Sequence, residues 1–173
     1  MFLFTLKIFK IALTTLLTTV IFLVLVRSFV IEPGRVNGRS MESTFTDNDV
    51  FFVNKYILLF HEPQRGDVVQ AIDPLSGHII IKRVIGLPGE QLSLRSGKVH
   101  LLKEDGSEIL LQESWLSPSE WTSSPENTSE IYLPIPEYEY FLMGDNRNQS
   151  TDSRTYGPVH RNQIYGLVYK LPF

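Results

Sequence analysis

Ile79-Ile80-Ile81-Lys82-Arg83-Val84-Ile85-Gly86-Leu87-Pro88-Gly89 reads as a β-strand closed by a glycine-proline turn. Five of its first seven residues are β-branched, and two cations interrupt them. Side chains on a strand alternate between faces, so Lys82 falls with Ile80 and Val84, and Arg83 with Ile81 and Ile85. Whichever face turns inward, a basic residue is driven into apolar surroundings. Burial disfavours the charged form of Lys, and a neutral amine can act as a general base near neutral pH. Arg83 cannot, because its guanidinium stays protonated; it calls for an ion pair, and Asp145 and Asp152 are the obvious carboxylates. The competing reading has one of the two cations snorkelling at a sheet edge.

The flanking sequence is also strand and turn. Residues 50–60 are rich in Phe, Val, Ile and Leu and predict one buried strand. Residues 67–72 predict a second, and Asp73-Pro74-Leu75-Ser76-Gly77 a hairpin turn before Ile79. Shorter strands over 92–111 are broken by Ser96-Gly97 and Asp105-Gly106. Residues 113–130, rich in Ser, Pro, Glu and Thr, predict an exposed loop insertion. Strands resume at 138–143 and 165–169. The expected fold class is mainly β, with mostly antiparallel pairs.

Ahead of this lies a different solvent. Residues 11–26 carry no charge, and snorkelling by Lys10 and Arg27 extends the effective span to about 8–31. That predicts one transmembrane helix, ended by Glu32-Pro33-Gly34. Residues 1–31 are thus expected as a membrane anchor, and 32–173 as the domain it carries, with a variable insertion at about 92–137. A cleavable leader fits poorly, because no small-x-small site follows the apolar core. Lys7 and Lys10 before the span nearly balance Arg27 and Arg35 after it, so charge favours a cytoplasmic N-terminus only modestly.

Composition narrows the chemistry. Net charge is -3, which gives no basic footprint for nucleic acid. Cys is absent, removing thiolate metal sites and a Cys nucleophile. His61, His78, His100 and His160 show neither metal-ligand spacing nor a Ser-His-Asp context. A Lys base then needs a Ser, and Ser-Lys pairs are a known variant of the Ser-base arrangement. The Ser that stands just where the chain leaves the apolar run is Ser40, in Gly38-Arg39-Ser40-Met41.

These stretches together resemble the type I signal peptidases of bacteria and the related inner-membrane peptidases of mitochondria. Gly38-Arg39-Ser40-Met41 with Thr44 is similar to the family's nucleophile box. Arg65-Gly66-Asp67-Val68-Val69 is similar to its second soluble box. Lys82 to Glu90 is similar to the general-base box. Met143-Gly144-Asp145-Asn146-Arg147 with Ser150, Asp152-Ser153-Arg154 and Gly157 is similar to the last box.

The resemblance implies roles residue by residue. Ser40 is the expected nucleophile and Lys82 the expected base, and the Ser150 hydroxyl orients the Lys amine. Asp145, Arg147, Asp152 and Arg154, with Arg83 beside them, form a polar cluster that holds the last box in shape. Met41, Ile80 and Ile81 line small substrate pockets. Gly38 stands where some members carry a Ser whose hydroxyl completes the oxyanion hole, leaving the second donor open. Ser43 replaces a usual Pro, and Phe45 a common Leu. The implied activity is removal of signal peptides from exported preproteins at Ala-x-Ala-like sites, with no metal or cofactor. The implied setting is the bacterial plasma membrane, single-pass, with a catalytic domain outside, monomeric and near the secretion translocon. The alternative is an inactive membrane-anchored β module that binds exported chains. A self-cleaving repressor with a Ser-Lys pair is disfavoured by the anchor.

Overall fold

The structure is a computed structural model, and it describes residues 2–29, 31–117, 120–123 and 130–171. Helix α1 (Phe2–Phe29) contains a 23-residue stretch, Phe4–Val26, long and apolar enough to cross a membrane. That stretch begins four residues before the start expected from sequence, so Lys7 and Lys10 lie inside it. Four of its Thr hydroxyls are satisfied within the helix: Thr14 and Thr15 donate to the Ile11 carbonyl, and Thr18 and Thr19 to that of Thr15, at 2.8–2.9 Å. This back-bonding removes the penalty of placing bare hydroxyls in hydrocarbon.

The strands in chain order are β1 (Ile31–Arg35), β2 (Val50–Asn54), β3 (Val68–Ile72), β4 (Ile79–Gly86), β5 (Gln91–Arg95), β6 (Lys98–Leu102), β7 (Glu108–Leu110), β8 (Glu130–Ile131), β9 (Glu139–Met143), β10 (Val159–His160) and β11 (Ile164–Lys170). A one-turn helix, α2 (Ser153–Tyr156), precedes β10. Two sheets result, and every pair is antiparallel. The larger runs β1-β2-β11-β3-β4-β9-β10 and the smaller β7-β6-β5-β8. The mainly β fold expected from sequence is therefore what forms.

The position of β4 decides the fate of its cations. It lies inside the large sheet, with Val69 opposite Lys82 and Val68 opposite Arg83 on one side, and Met143 opposite Arg83 on the other. There is no edge to snorkel from. Both faces are covered: Val84 joins the core of Val69, Ala71, Leu142 and Leu167, Ile85 joins that of Leu92, Leu94, Val99 and Phe141, and Ile81 packs on that of Met41, Phe45 and Phe51. Both cations are buried.

Three local expectations are corrected. Glu32-Pro33-Gly34 does not itself end the helix, which stops at Phe29; it lies in β1, at the edge of the sheet, where a Pro without an N–H is tolerated. The strand over 50–60 stops at Asn54, whose Oδ1 accepts from the Ile57 N–H at 3.1 Å and starts a 3₁₀ turn, Ile57–Leu59. Leu58 enters the core while Tyr56, Leu59 and Phe60 stay exposed, so a core role fails for those three. The described parts of 113–130 are not a free loop, because Glu113 and Thr122 bond to Arg147 in the loop after β9 and Trp115 lies against Arg83 of β4.

Candidate active site

A tight turn carries Ser40. The Glu42 N–H donates to the Arg39 carbonyl at 3.1 Å, and the Thr44 and Phe45 N–H groups to that of Met41 at 2.8 and 2.7 Å. Buried Met41 and Phe45 pin the turn to the core. The Ser40 carbonyl accepts from the Asn146 N–H at 3.0 Å, which ties the turn to the loop after β9. Across from it, the Lys82 Nζ lies 2.8 Å from the Ser40 Oγ. Burial pushes the Lys82 amine below its ordinary value, partly opposed by the negative charges of Asp152 and Asp73.

The remaining charges are held in three buried pairs. Arg83 grips Asp145 with two bonds, Nε to Oδ1 at 2.7 Å and Nη2 to Oδ2 at 2.6 Å, and donates to the Gly66 carbonyl at 2.6 Å. The Thr44 hydroxyl donates to Asp145 at 2.5 Å and accepts from Arg83 at 2.9 Å, so the Ser40 turn shares this pair. Trp115 lies against the Arg83 guanidinium, 4.7 Å from ring centroid to carbon. Arg154 takes Asp152 in the same two-pronged way at 2.8 Å, and Asp152 also accepts from the Gly144 N–H at 2.9 Å. Of the two carboxylates expected for Arg83, Asp145 is the partner.

Arg147 departs from the expected cluster. It pairs with Glu113, and its Nη1 also donates to the Thr122 hydroxyl at 2.7 Å. Its Nε donates to the Gly144 carbonyl at 3.0 Å. Ser150 departs too. Its Oγ is buried and has no hydrogen-bond partner among the described residues, Lys82 included. It packs instead on Gly144, where an added Cβ would fall 2.3 Å from the Ser150 Oγ and 2.5 Å from the Ser40 carbonyl. The Gly38 N–H donates to Asp47 Oδ1 at 3.0 Å and is therefore committed.

Ser40 and Lys82 open on a cleft of about 320 Å³ whose lining also includes Gly38, Met41, Ile80 and Ile81, the four residues expected to contact substrate. Phe45 and Phe51 close it with an edge-to-face pair, ring centroids 6.4 Å apart.

The sequence profile described as signal peptidase, peptidase S26, matches residues 8–171. The chain belongs to this family. A probable signal peptidase I-2 of Synechocystis is 31% identical over 162 residues, which cover 90% of this chain and 69% of that one. Signal peptidase I P of Bacillus subtilis subsp. natto is 34% identical over 78% of this chain and 72% of its own. The crystal structure of a signal peptidase I from Enterococcus faecalis superposes with a TM-score of 0.50 at 30% identity, covering 62% of this chain and 97% of that chain. For a signal peptidase of this family, Glu113, Trp115 and Thr122 are the residues sequence reasoning passed over. A signal for them was present. Arg83, Arg147 and Arg154 needed three buried partners, and the last box supplied only two carboxylates, Asp145 and Asp152.

Proposed function

We propose that this chain removes signal peptides by acyl transfer through Ser40 and Lys82, the observation that carries the reading being the 2.8 Å contact between them in a cleft where burial favours the neutral amine. By family it is a serine endopeptidase of the signal-peptide-removing kind. With the amine neutral, the Ser40 hydroxyl donates along the same line. Lys82 takes that proton as Oγ attacks the scissile carbonyl, and the Ser40 N–H faces the developing oxyanion. The lysine ammonium then gives its proton to the departing amine, leaving an ester on Ser40. Neutral again, Lys82 takes a proton from water, which attacks the ester and releases the new carboxyl end. Arg83, Asp145, Asp152 and Arg154 support this geometry from buried positions, and Arg147 fixes the same loop from the side of Glu113.

The cleft fits an extended peptide with small side chains, as an Ala-x-Ala-like site provides. Main-chain pairing with a sheet edge supplies binding that does not depend on sequence. The helix α1 and the family together support a single-pass protein with residues 32–173 outside the bacterial plasma membrane, acting as a monomer close to where preproteins emerge.

Cleavage of an Ala-x-Ala signal-peptide substrate in detergent by the wild type, Ser40→Ala and Lys82→Ala tests this. Activity in the wild type alone is the expected result. A Lys82→Ala variant that still cuts would overturn the dyad. A wild type silent on several such substrates would move the inactive binding module ahead.

A further inference from the structure

The floor of the cleft holds a polar side chain that the reaction does not use. Gln70 is only 7% exposed and sits in the middle of β3, between the core residues Val69 and Ala71. Those two point to one face of the sheet, so Gln70 points to the other, beside Ile81, its partner on β4. It lines the cleft with Ser40 and Lys82. Neither amide atom of Gln70 has a hydrogen-bond partner among the described residues, and neither is sealed from solvent. A buried strand glutamine is ordinarily satisfied by protein. Here the amide opens into the cleft.

Its surroundings there are apolar. Phe51 and Ile81 line the same part, and Gly34 closes over Phe51 so tightly that a Cβ would fall 2.3 Å from the ring. Phe51 also meets Phe45 edge to face, so Gln70 shares one apolar wall with the Ser40 turn. An extended peptide turns alternate side chains to one face, about 7 Å apart. With the residue of the scissile carbonyl against Ser40, the next side chain on that face belongs to the residue two positions upstream.

We propose that Gln70 is a specificity-determining residue that reads this upstream side chain and selects a small hydroxyl, Ser or Thr, over an apolar residue of equal size. This rests on the reading of the cleft as the peptide site. The amide offers a donor and an acceptor, and a hydroxyl matches either one. An apolar occupant displaces water from the amide and returns nothing, so the loss falls on the apolar substrate.

Thr and Val have nearly the same shape, which makes them the test. Two signal-peptide substrates that differ only by Thr or Val at that upstream position are mixed and cut competitively by the full chain in detergent. The wild type is expected to favour Thr in kcat/KM by about tenfold, the size of one modest hydrogen bond. Gln70→Met should bring the ratio to about one or below, with Gln70→Leu as a second apolar variant. Competition in one tube cancels the fraction of active enzyme, so a poorly folding variant still reports its ratio. The same swap at the residue next to the scissile bond should give a ratio that neither variant changes. Equal cutting by the wild type, or an unchanged ratio in the variants, overturns the Gln70 assignment alone. A wild type that cuts neither substrate overturns the peptidase reading beneath it.

Discussion

The backbone N–H of Asn146 donates to the carbonyl of Ser40 at 3.0 Å, and the side chain of Asn146 reaches Glu42 at 3.1 Å. The loop after β9 thus holds the Ser40 turn from both ends, through its main chain and through the Thr44–Asp145 bond. The distance between Ser40 and Lys82 is set by a loop that contains neither.

Gly144→Ala tests this arrangement. The new Cβ would meet the Ser40 carbonyl and Ser150 at 2.5 Å or less, and backbone cannot yield as a flexible side chain can. A displacement of about 1 Å at a reacting group lowers rate by roughly a hundredfold. We expect kcat to fall by that order while far-UV circular dichroism stays that of the wild type. An alanine variant with full kcat would show that the loop does not position Ser40.

Lys82→Met should raise stability while abolishing cleavage. The folded-state pKa of Lys82 lies below the ordinary lysine value of 10.5. Between those two values the unfolded chain holds the proton and the folded chain does not, so wild-type stability rises with pH across that window. Below it both states are charged, and the full burial penalty is present. Thermal unfolding in detergent should therefore show the Lys82→Met variant more stable than wild type at pH 6, by a margin that shrinks toward pH 10. A margin independent of pH would mean the amine is not depressed. In the wild type, the acid limb of kcat/KM should have its midpoint below 10.5 for the same reason.

Glu113→Ala leaves the buried Arg147 guanidinium without its carboxylate. Removing one partner of a buried pair costs about 3–5 kcal/mol, and urea unfolding should show a loss of that order. The smaller change Trp115→Ala removes a contact with Arg83 worth about 1–2 kcal/mol. Losses near zero for both would mean that Glu113 and Trp115 do not brace Arg147 and Arg83.

Phe45→Leu shortens a wall of the cleft. The freed volume should admit side chains larger than Ala next to the scissile bond. We expect a rise of about tenfold in the kcat/KM ratio of Val to Ala substrates at that position, the worth of one or two methylene groups. No change in the ratio would place Phe45 outside the contact surface.

The legible parts of this fold were those governed by short-range rules. The β-branched run at Ile79 specified β4, the Asp73–Gly77 turn its hairpin, and the uncharged stretch 11–26 the helix. Alternation put one cation of the pair Lys82 and Arg83 inward; the burial of both follows from the place of β4 inside the sheet, which the strand's own sequence does not encode. The failures came where a side chain's partner is distant in sequence. Residues 113–130 look solvated by composition, yet Arg147, 34 residues from Glu113, draws that carboxylate inward. Ser150 was expected beside the Lys82 amine, but its place is set by packing on Gly144, which no spacing rule encodes. Asn54 ended a strand that propensity would have carried to Phe60, by capping a turn with its side chain.

The edge strand β1 has one further consequence. Helix α1 ends at Phe29, β1 begins at Ile31, and five of the twelve residues from Phe29 to Ser40 are locked in register with β2. Even fully extended, that segment spans no more than about 40 Å. The enzyme's reach is therefore that of a short stalk and not of a flexible leash. A substrate is measured by it: a preprotein whose cleavable bond lies further from its own hydrophobic segment than this stalk permits passes by uncut, whatever side chains it presents.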